Sequence, residues 1–142
     1  MDLRKKVLEI MKDLTPVVVA TCDGQKPYTT FISWATAVDE NTIRIAVSTN
    51  AKTTENIRKN PYVGIEVFDE DTALSISGEA KIIKEEIEGI SFPVAVIEIK
   101  ILEINDNLFP GATITGKIPF KHTGNIEKAE ELDQKVLQAL KS

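Results

Sequence analysis

Within Thr42-Ile43-Arg44-Ile45-Ala46-Val47-Ser48-Thr49-Asn50-Ala51-Lys52-Thr53-Thr54-Glu55-Asn56-Ile57-Arg58 the side-chain pattern changes its period. Ile43, Ile45 and Val47 alternate with other residues, as a half-buried strand requires. The stretch then ends as a short helix. Ser48, Thr49, Asn50, Thr53, Thr54 and Lys52 surround the junction. At such a place the first helical N–H groups lack acceptors and the positive end of the dipole faces outward, which suits a phosphate. The same residues also allow a purely structural reading, in which Thr53 or Thr54 caps the helix and Lys52 lies in solvent. No glycine-rich loop of the Walker or dinucleotide type is present, which argues against a nucleoside triphosphate.

The chain has 142 residues, enough for one domain with a real core and too few for two ordinary ones, so residues 1–142 are expected to form a single domain. A hydrophobic content of 42% with 27% charged residues is that of a soluble globular protein. No run has the apolar length of a membrane span, and Met1-Asp2-Leu3-Arg4-Lys5-Lys6 lacks the apolar core of a signal peptide; a cytoplasmic protein is expected. Cys22 is the single cysteine and His122 the single histidine, which disfavours an internal disulfide and a transition-metal site. A net charge of -5 disfavours a nucleic-acid backbone as the main partner.

Outward from the opening stretch, Leu3, Val7, Ile10, Met11 and Leu14 fall at helical spacing and predict an N-terminal helix with one apolar face, closed by Pro16. Val17 to Cys22 reads as a buried strand, and Asp23-Gly24 as a hairpin signal. The return strand is expected from about Tyr28 to Val38. Its Thr29, Thr30, Ser33 and Thr36 break up the apolar residues and point to a ligand or a subunit contact, although β-propensity alone also accommodates threonine. Asn60-Pro61 ends the helix that follows Lys52. Strands are expected from Tyr62 to Phe68 and from Thr72 to Ile83, with Gly78 marking a bulge or the close approach of another backbone. Phe92-Pro93 leads into the longest β run, in which Ile97, Ile99 and Ile101 share a face. Ala112 to Ile118 is a candidate further strand. Ala129, Leu132, Val136, Leu137 and Leu140 form the stripe of a closing helix, with Asn125 as its cap.

Six antiparallel strands joined by short turns, with one inserted helix and a helix at each end, predict a mainly β, Greek-key split barrel. Val19-Ala20-Thr21 with Asp23-Gly24 and Pro27, then Ser33-Trp34, then Lys52-Thr53 with Asn56 and Asn60-Pro61, then Gly78-Glu79-Ala80, stand here in this order. In that order and spacing the chain resembles the FMN-binding split-barrel proteins, the relatives of pyridoxamine 5'-phosphate oxidase, and looks most like the small bacterial FMN-binding proteins. The resemblance runs from about Val17 to Ile83.

That resemblance implies FMN as the cofactor. Lys52 and Thr53, with Ser48 and Thr49 before them, would hold its phosphate, and Thr30, Phe31, Ile32 and Ser33 would line the isoalloxazine. It also implies a homodimer with the flavin at the two-fold contact. The equivalent of the Arg-x-x-Leu-Leu-Lys strand of true pyridoxamine 5'-phosphate oxidases is Thr29 to Ala35, which has no basic residue, and in place of their Arg-containing tail stands an amphipathic helix. Vitamin oxidase activity is therefore not expected. An FMN-dependent oxidoreductase or electron carrier is one reading; a non-catalytic flavin store or sensor, or a deazaflavin-dependent reductase, is the other. No catalytic residue is identified. His122 is the one candidate acid or base, the segment with Lys117 and Lys121 reads as a solvated loop, and Cys22 as inert core.

Overall fold

A computed structural model describes residues 2–142. Its elements are α1 (Leu3–Ile10), β1 (Val17–Cys22), β2 (Pro27–Ile32), β3 (Ala35–Asp39), β4 (Thr42–Ser48), α2 (Lys52–Lys59), β5 (Tyr62–Asp69), β6 (Thr72–Lys84), β7 (Val94–Asp106) and α3 (Ile126–Lys141). The strands form one antiparallel sheet in the order β2-β1-β5-β6-β7-β4-β3. The two outer strands, β2 and β3, are consecutive in the chain and are joined by Ser33 and Trp34 alone. So short a link brings the two ends of the sheet together, and the sheet curls into a barrel split between β2 and β3.

There are seven strands among the described residues, not six, because the expected strand from Tyr28 to Val38 is two. Ile32 makes the last pairing with Val17 of β1, whereas Ala35 makes the first with Ile45 of β4. The chain changes partner at Ser33-Trp34, and the inserted helix therefore follows the fourth strand. The expected strand from Ala112 to Ile118 is absent. Its residues are mostly exposed and have no neighbouring strand; one backbone bond, from Asp71 N–H to the Ile114 carbonyl at 2.9 Å, holds the segment there.

The period-2 pattern decides what is buried. Val17 and Val19, Ile43 and Ile45, Val63, Ile65 and Val67, Leu74 and Ile76, and Ile97, Ile99 and Ile101 meet in one core, to which α1 adds Val7, its C-cap adds Met11 and α2 adds Ile57. Each such side chain contributes about 1.5–3 kcal/mol on leaving water. A second apolar cluster lies outside the barrel, where Val136 and Leu140 of α3 cover Ala46, Val94 and Val96. Arg44 fastens the end of α3: its guanidinium donates to the Leu140 carbonyl at 2.8 Å and pairs with Glu98 at 3.1 Å. Asp2 caps α1 through Arg4 N–H at 2.9 Å, and Asn125 caps α3 through Lys128 N–H at 3.1 Å. No helix among the described residues is long and apolar enough to cross a membrane.

Candidate functional site

The start of α2 is open. Ala51 occupies the cap position in an extended conformation and offers no side-chain acceptor. Neither Thr53 nor Thr54 takes that role. Thr54 Oγ1 turns back to donate to the Ser48 carbonyl at 2.7 Å, and Thr53 is buried in the helix-to-barrel contact. The N–H groups of the first turn thus have no side-chain cap, while Lys52 stands exposed beside them. Thr49 braces the turn: its hydroxyl donates to the Glu85 carbonyl at 2.6 Å and its N–H to the Pro93 carbonyl at 3.0 Å. Glu85 also accepts from Arg58 at 2.6 and 3.0 Å, so the β6–β7 connection is tied to both ends of the α2 region. The Arg58 guanidinium holds the Glu85 carboxyl below the usual glutamate range.

Lys52 meets the β1–β2 hairpin. Its Nζ lies 5.8 Å from the centroid of the Tyr28 ring, within cation–π reach. One turn further, Asn56 Nδ2 donates to Thr21 Oγ1 at 3.1 Å, a buried bond that fixes α2 against β1. At the hairpin tip Asp23 accepts from the Gln25 and Lys26 N–H groups at 2.8 and 2.9 Å. These bonds hold its carboxyl below the usual range, and the charges of Lys59 and Lys52 add to the effect. Tyr28 carried no signal in the sequence beyond being an aromatic residue in a strand; only the docking of α2 gives it a partner.

Of the expected ring-lining residues, Thr30, Phe31 and Ile32 lie on β2, whose far side is a free sheet edge. Their side chains divide between two faces. Tyr28, Thr30 and Ile32 pair with Thr21, Val19 and Val17 on the inner face, and Ile32 belongs to the core. Phe31 points outward, 48% exposed, with its ring edge-on to Phe120 at 5.6 Å. Ser33 lies half-buried in the link. The Ala46 N–H bond to the Trp34 carbonyl, 2.9 Å, prolongs the β3–β4 pairing and sets Ser33 toward the end of β4, where Ser48 and Thr49 begin the turn. The two expected stretches, 30–33 and 48–53, therefore border one strip from Lys52 to Ser33.

The outer face of this half of the sheet carries small side chains beside Phe31, Val18 and Glu66. One row runs from Phe31 through Val18 and Glu66 to Ser75, and the next from Thr29 through Ala20 and Gly64 to Ser77. Glu66 is the charged member of these rows. Desolvation raises its carboxyl above the ordinary glutamate value, with a partly opposing hydrogen bond from Asn107 Nδ2 at 3.1 Å. The unfolded chain holds the proton less tightly than the folded one, so ionising Glu66 costs stability above its folded pKa, and that cost disappears as pH falls through this value. Glu66→Gln, which keeps an acceptor for Asn107, should stabilise the protein at neutral pH by up to about 0.5 kcal/mol. Thermal melts of the two proteins should converge near about pH 3, where both side chains are neutral.

Two other expectations change. Lys117 is not simply solvated, since its Nζ donates to the Ile10 carbonyl at 2.9 Å, and His122 Nε2 sits 2.9 Å from Asp133 Oδ2. Asp133 also accepts from the Trp34 indole N–H at 2.8 Å. Lys121 remains exposed. Cys22 is half-buried at the end of β1 beside the hairpin turn, rather than in the core.

Comparison with known proteins agrees with this architecture. A search of curated proteins finds no match. Among solved structures, General Stress Protein 26 from Bacillus anthracis superposes with a TM-score of 0.61 at 18% identity, covering 75% of this chain and 94% of that one. An FMN-binding protein from Syntrophomonas wolfei superposes with a TM-score of 0.58 at 15% identity, over 75% of this chain and 90% of that one. An F420 reductase gives 0.58 at 19% identity, over 68% and 94%. At such identities the likeness is one of fold. The family model described as pyridoxamine 5'-phosphate oxidase matches residues 3–107, from α1 through β7, and the chain belongs to that family.

Proposed function

We propose that this chain is an FMN-binding flavoprotein, an oxidoreductase or electron-transfer protein of the family that does not oxidise pyridoxamine phosphate. The observation that carries this reading is the uncapped start of α2 with Lys52 beside it, bordered by the free edge of β2. The donor set fits a phosphate monoester dianion: N–H groups of Lys52 and Thr53, the Lys52 ammonium, and the Ser48 hydroxyl at the end of β4. Thr49, whose hydrogens are engaged with Glu85 and Pro93, serves by fixing the turn. Thr30 to Ser33 offer edge backbone groups, hydroxyls and the apolar Phe31 to the ring. Redox chemistry would be supplied by the flavin, and this chain's residues would position it and exclude water.

The small residues of the outer face and the half-exposed Phe31 support a homodimer with the flavin at the two-fold contact, since the short side chains of Ala20, Gly64, Ser75 and Ser77 admit close approach of a second copy. The lack of a basic residue from Thr29 to Ala35 argues against the vitamin oxidase reaction. The superposition on an F420 reductase favours, as the second reading, a deazaflavin in the same strip.

Absorption of the purified protein is the first test. A flavin spectrum, with FMN as the released chromophore by mass, is the expected result; a deazaflavin mass selects the second reading, and a colourless protein that does not quench added FMN removes both. Turnover of a reduced nicotinamide with an electron acceptor separates an oxidoreductase from a flavin store or sensor. Sedimentation at micromolar concentration should give a dimer; a monomer throughout would withdraw the shared site.

A further inference from the structure

From Leu102 to Lys135 no residue is buried, yet the segment 107–125, which has no helix or strand, is drawn across the barrel surface. Discrete contacts hold it. Near its start Asn107 N–H donates to the Ala73 carbonyl at 2.8 Å, and Thr113 Oγ1 donates to Asp71 Oδ1 at 2.8 Å. In the middle Lys117 reaches the Ile10 carbonyl. Beyond Lys117, Phe120 rests edge-on against Phe31, and His122 bonds Asp133 of α3, which itself holds the Trp34 indole. A segment with few buried apolar contacts and exposed backbone opens at far lower cost than the barrel beneath it. Gly111, with φ +95°, and Gly124 lie on either side of its far half.

We propose that residues 107–125 are a strap whose far half is closed by a His122–Asp133 clasp, and that release of this clasp lifts Phe120 from Phe31 and uncovers the outer face of β2. Phe31 is 48% exposed and Phe120 51% with the clasp closed, so the strap covers the ring without sealing it. The clasp is tied to the barrel split, because Asp133 joins the strap to Trp34 in the two-residue link between β2 and β3. Neither His122 nor Asp133 belongs to the core clusters, but Asp133 also holds Trp34, which packs against the outer one, so His122→Ala is the variant that removes the clasp alone. The consequence for ligand rests on the flavin reading above: Phe31 is one of the residues assigned to the ring, and the strap then gates entry of the ring at that end of the strip.

The test has two independent readouts on the full-length protein. The first is amide hydrogen exchange without ligand, in wild type, His122→Ala, Asp133→Ala and the double variant. Residues 118–124 should exchange about 3- to 30-fold faster in either single variant, the double variant should add little, and β1, β5 and β7 should be unchanged. Unchanged exchange at 118–124, additive effects, or an equal rise across the barrel strands would each overturn the clasp. The second is the FMN association rate by fluorescence quenching, which should rise by the same factor while the tryptic sensitivity at Lys121 rises with it. Faster exchange with an unaltered association rate would overturn the gate. A wild-type protein that takes up no FMN would overturn the gate by removing its ligand, and the ligand-free exchange data would show that the flavin reading, not the clasp, had failed.

Discussion

Lys52→Ala should weaken FMN binding about ten- to a hundred-fold, the loss of a charge-assisted bond worth roughly 1.5–3 kcal/mol. Riboflavin, which has the same ring without the phosphate, should bind the wild-type protein less tightly and should be almost indifferent to the substitution. The comparison is informative because of what surrounds Lys52. Its side chain is exposed, it forms none of the ion pairs seen among the described residues, and it lies over the Tyr28 ring at 5.8 Å. An exposed cation–π contact contributes about 0.5–1 kcal/mol, less than a phosphate contact, so the fold without ligand should lose little. A lysine in the first turn also opposes the helix dipole, which offsets part of that contribution. Fluorescence titration with both ligands decides the matter. Equal losses for FMN and riboflavin would mean that Lys52 acts on the ring or the fold, and the phosphate assignment would be withdrawn.

Much of the fold was legible in the sequence because period-2 runs lie between unmistakable turn residues. Val17 to Cys22 with Asp23-Gly24, and the run through Ile97, Ile99 and Ile101, became β1 with its hairpin and β7 with its buried face. The break at Ser33-Trp34 was not legible. Nothing local ends a strand there, and the change of partner from Val17 to Ile45 is a property of the closed sheet. Ala112 to Ile118 failed for the converse reason: threonine and isoleucine favour a strand only where an edge is available to pair with. The open helix start at Lys52 could be anticipated from residue types and spacing. Its docking on Tyr28, the choice of Thr54 to bond Ser48, and the engagement of Thr49 with Glu85 depend on contacts between distant segments. His122 illustrates the limit most clearly, since its partner Asp133 lies on a separate helix and no spacing rule links them.

Gly78→Ala should destabilise the protein by about 1–3 kcal/mol, the cost of forcing an added carbon into a filled space. A Cβ at this position would lie 2.5 Å from Ile99 Cγ2 and 2.9 Å from the Lys100 carbonyl oxygen. The first contact involves a side chain at 0% exposure in the centre of the barrel, which has no room to move aside. The second involves the backbone of β7, which is held on both sides by β6 and β4. Backbone conformation is not the obstacle, as Gly78 does not have a positive φ. Close approach is the obstacle, and it falls where the register shifts: Ser77 faces Glu103 while Gly78 faces Ile101, so Leu102 is an extra residue that bends β7 at this point. Urea unfolding should show the midpoint falling with an unchanged slope, because the surface exposed on unfolding is the same. Adding Ile99→Val should recover none of the loss, because valine keeps the Cγ2 methyl that meets the new Cβ and lacks only Cδ1, a change that by itself costs about 0.5–1.5 kcal/mol. A Gly78→Ala protein as stable as wild type would mean that β6 and β7 separate easily at the bulge, and that the barrel is held together elsewhere.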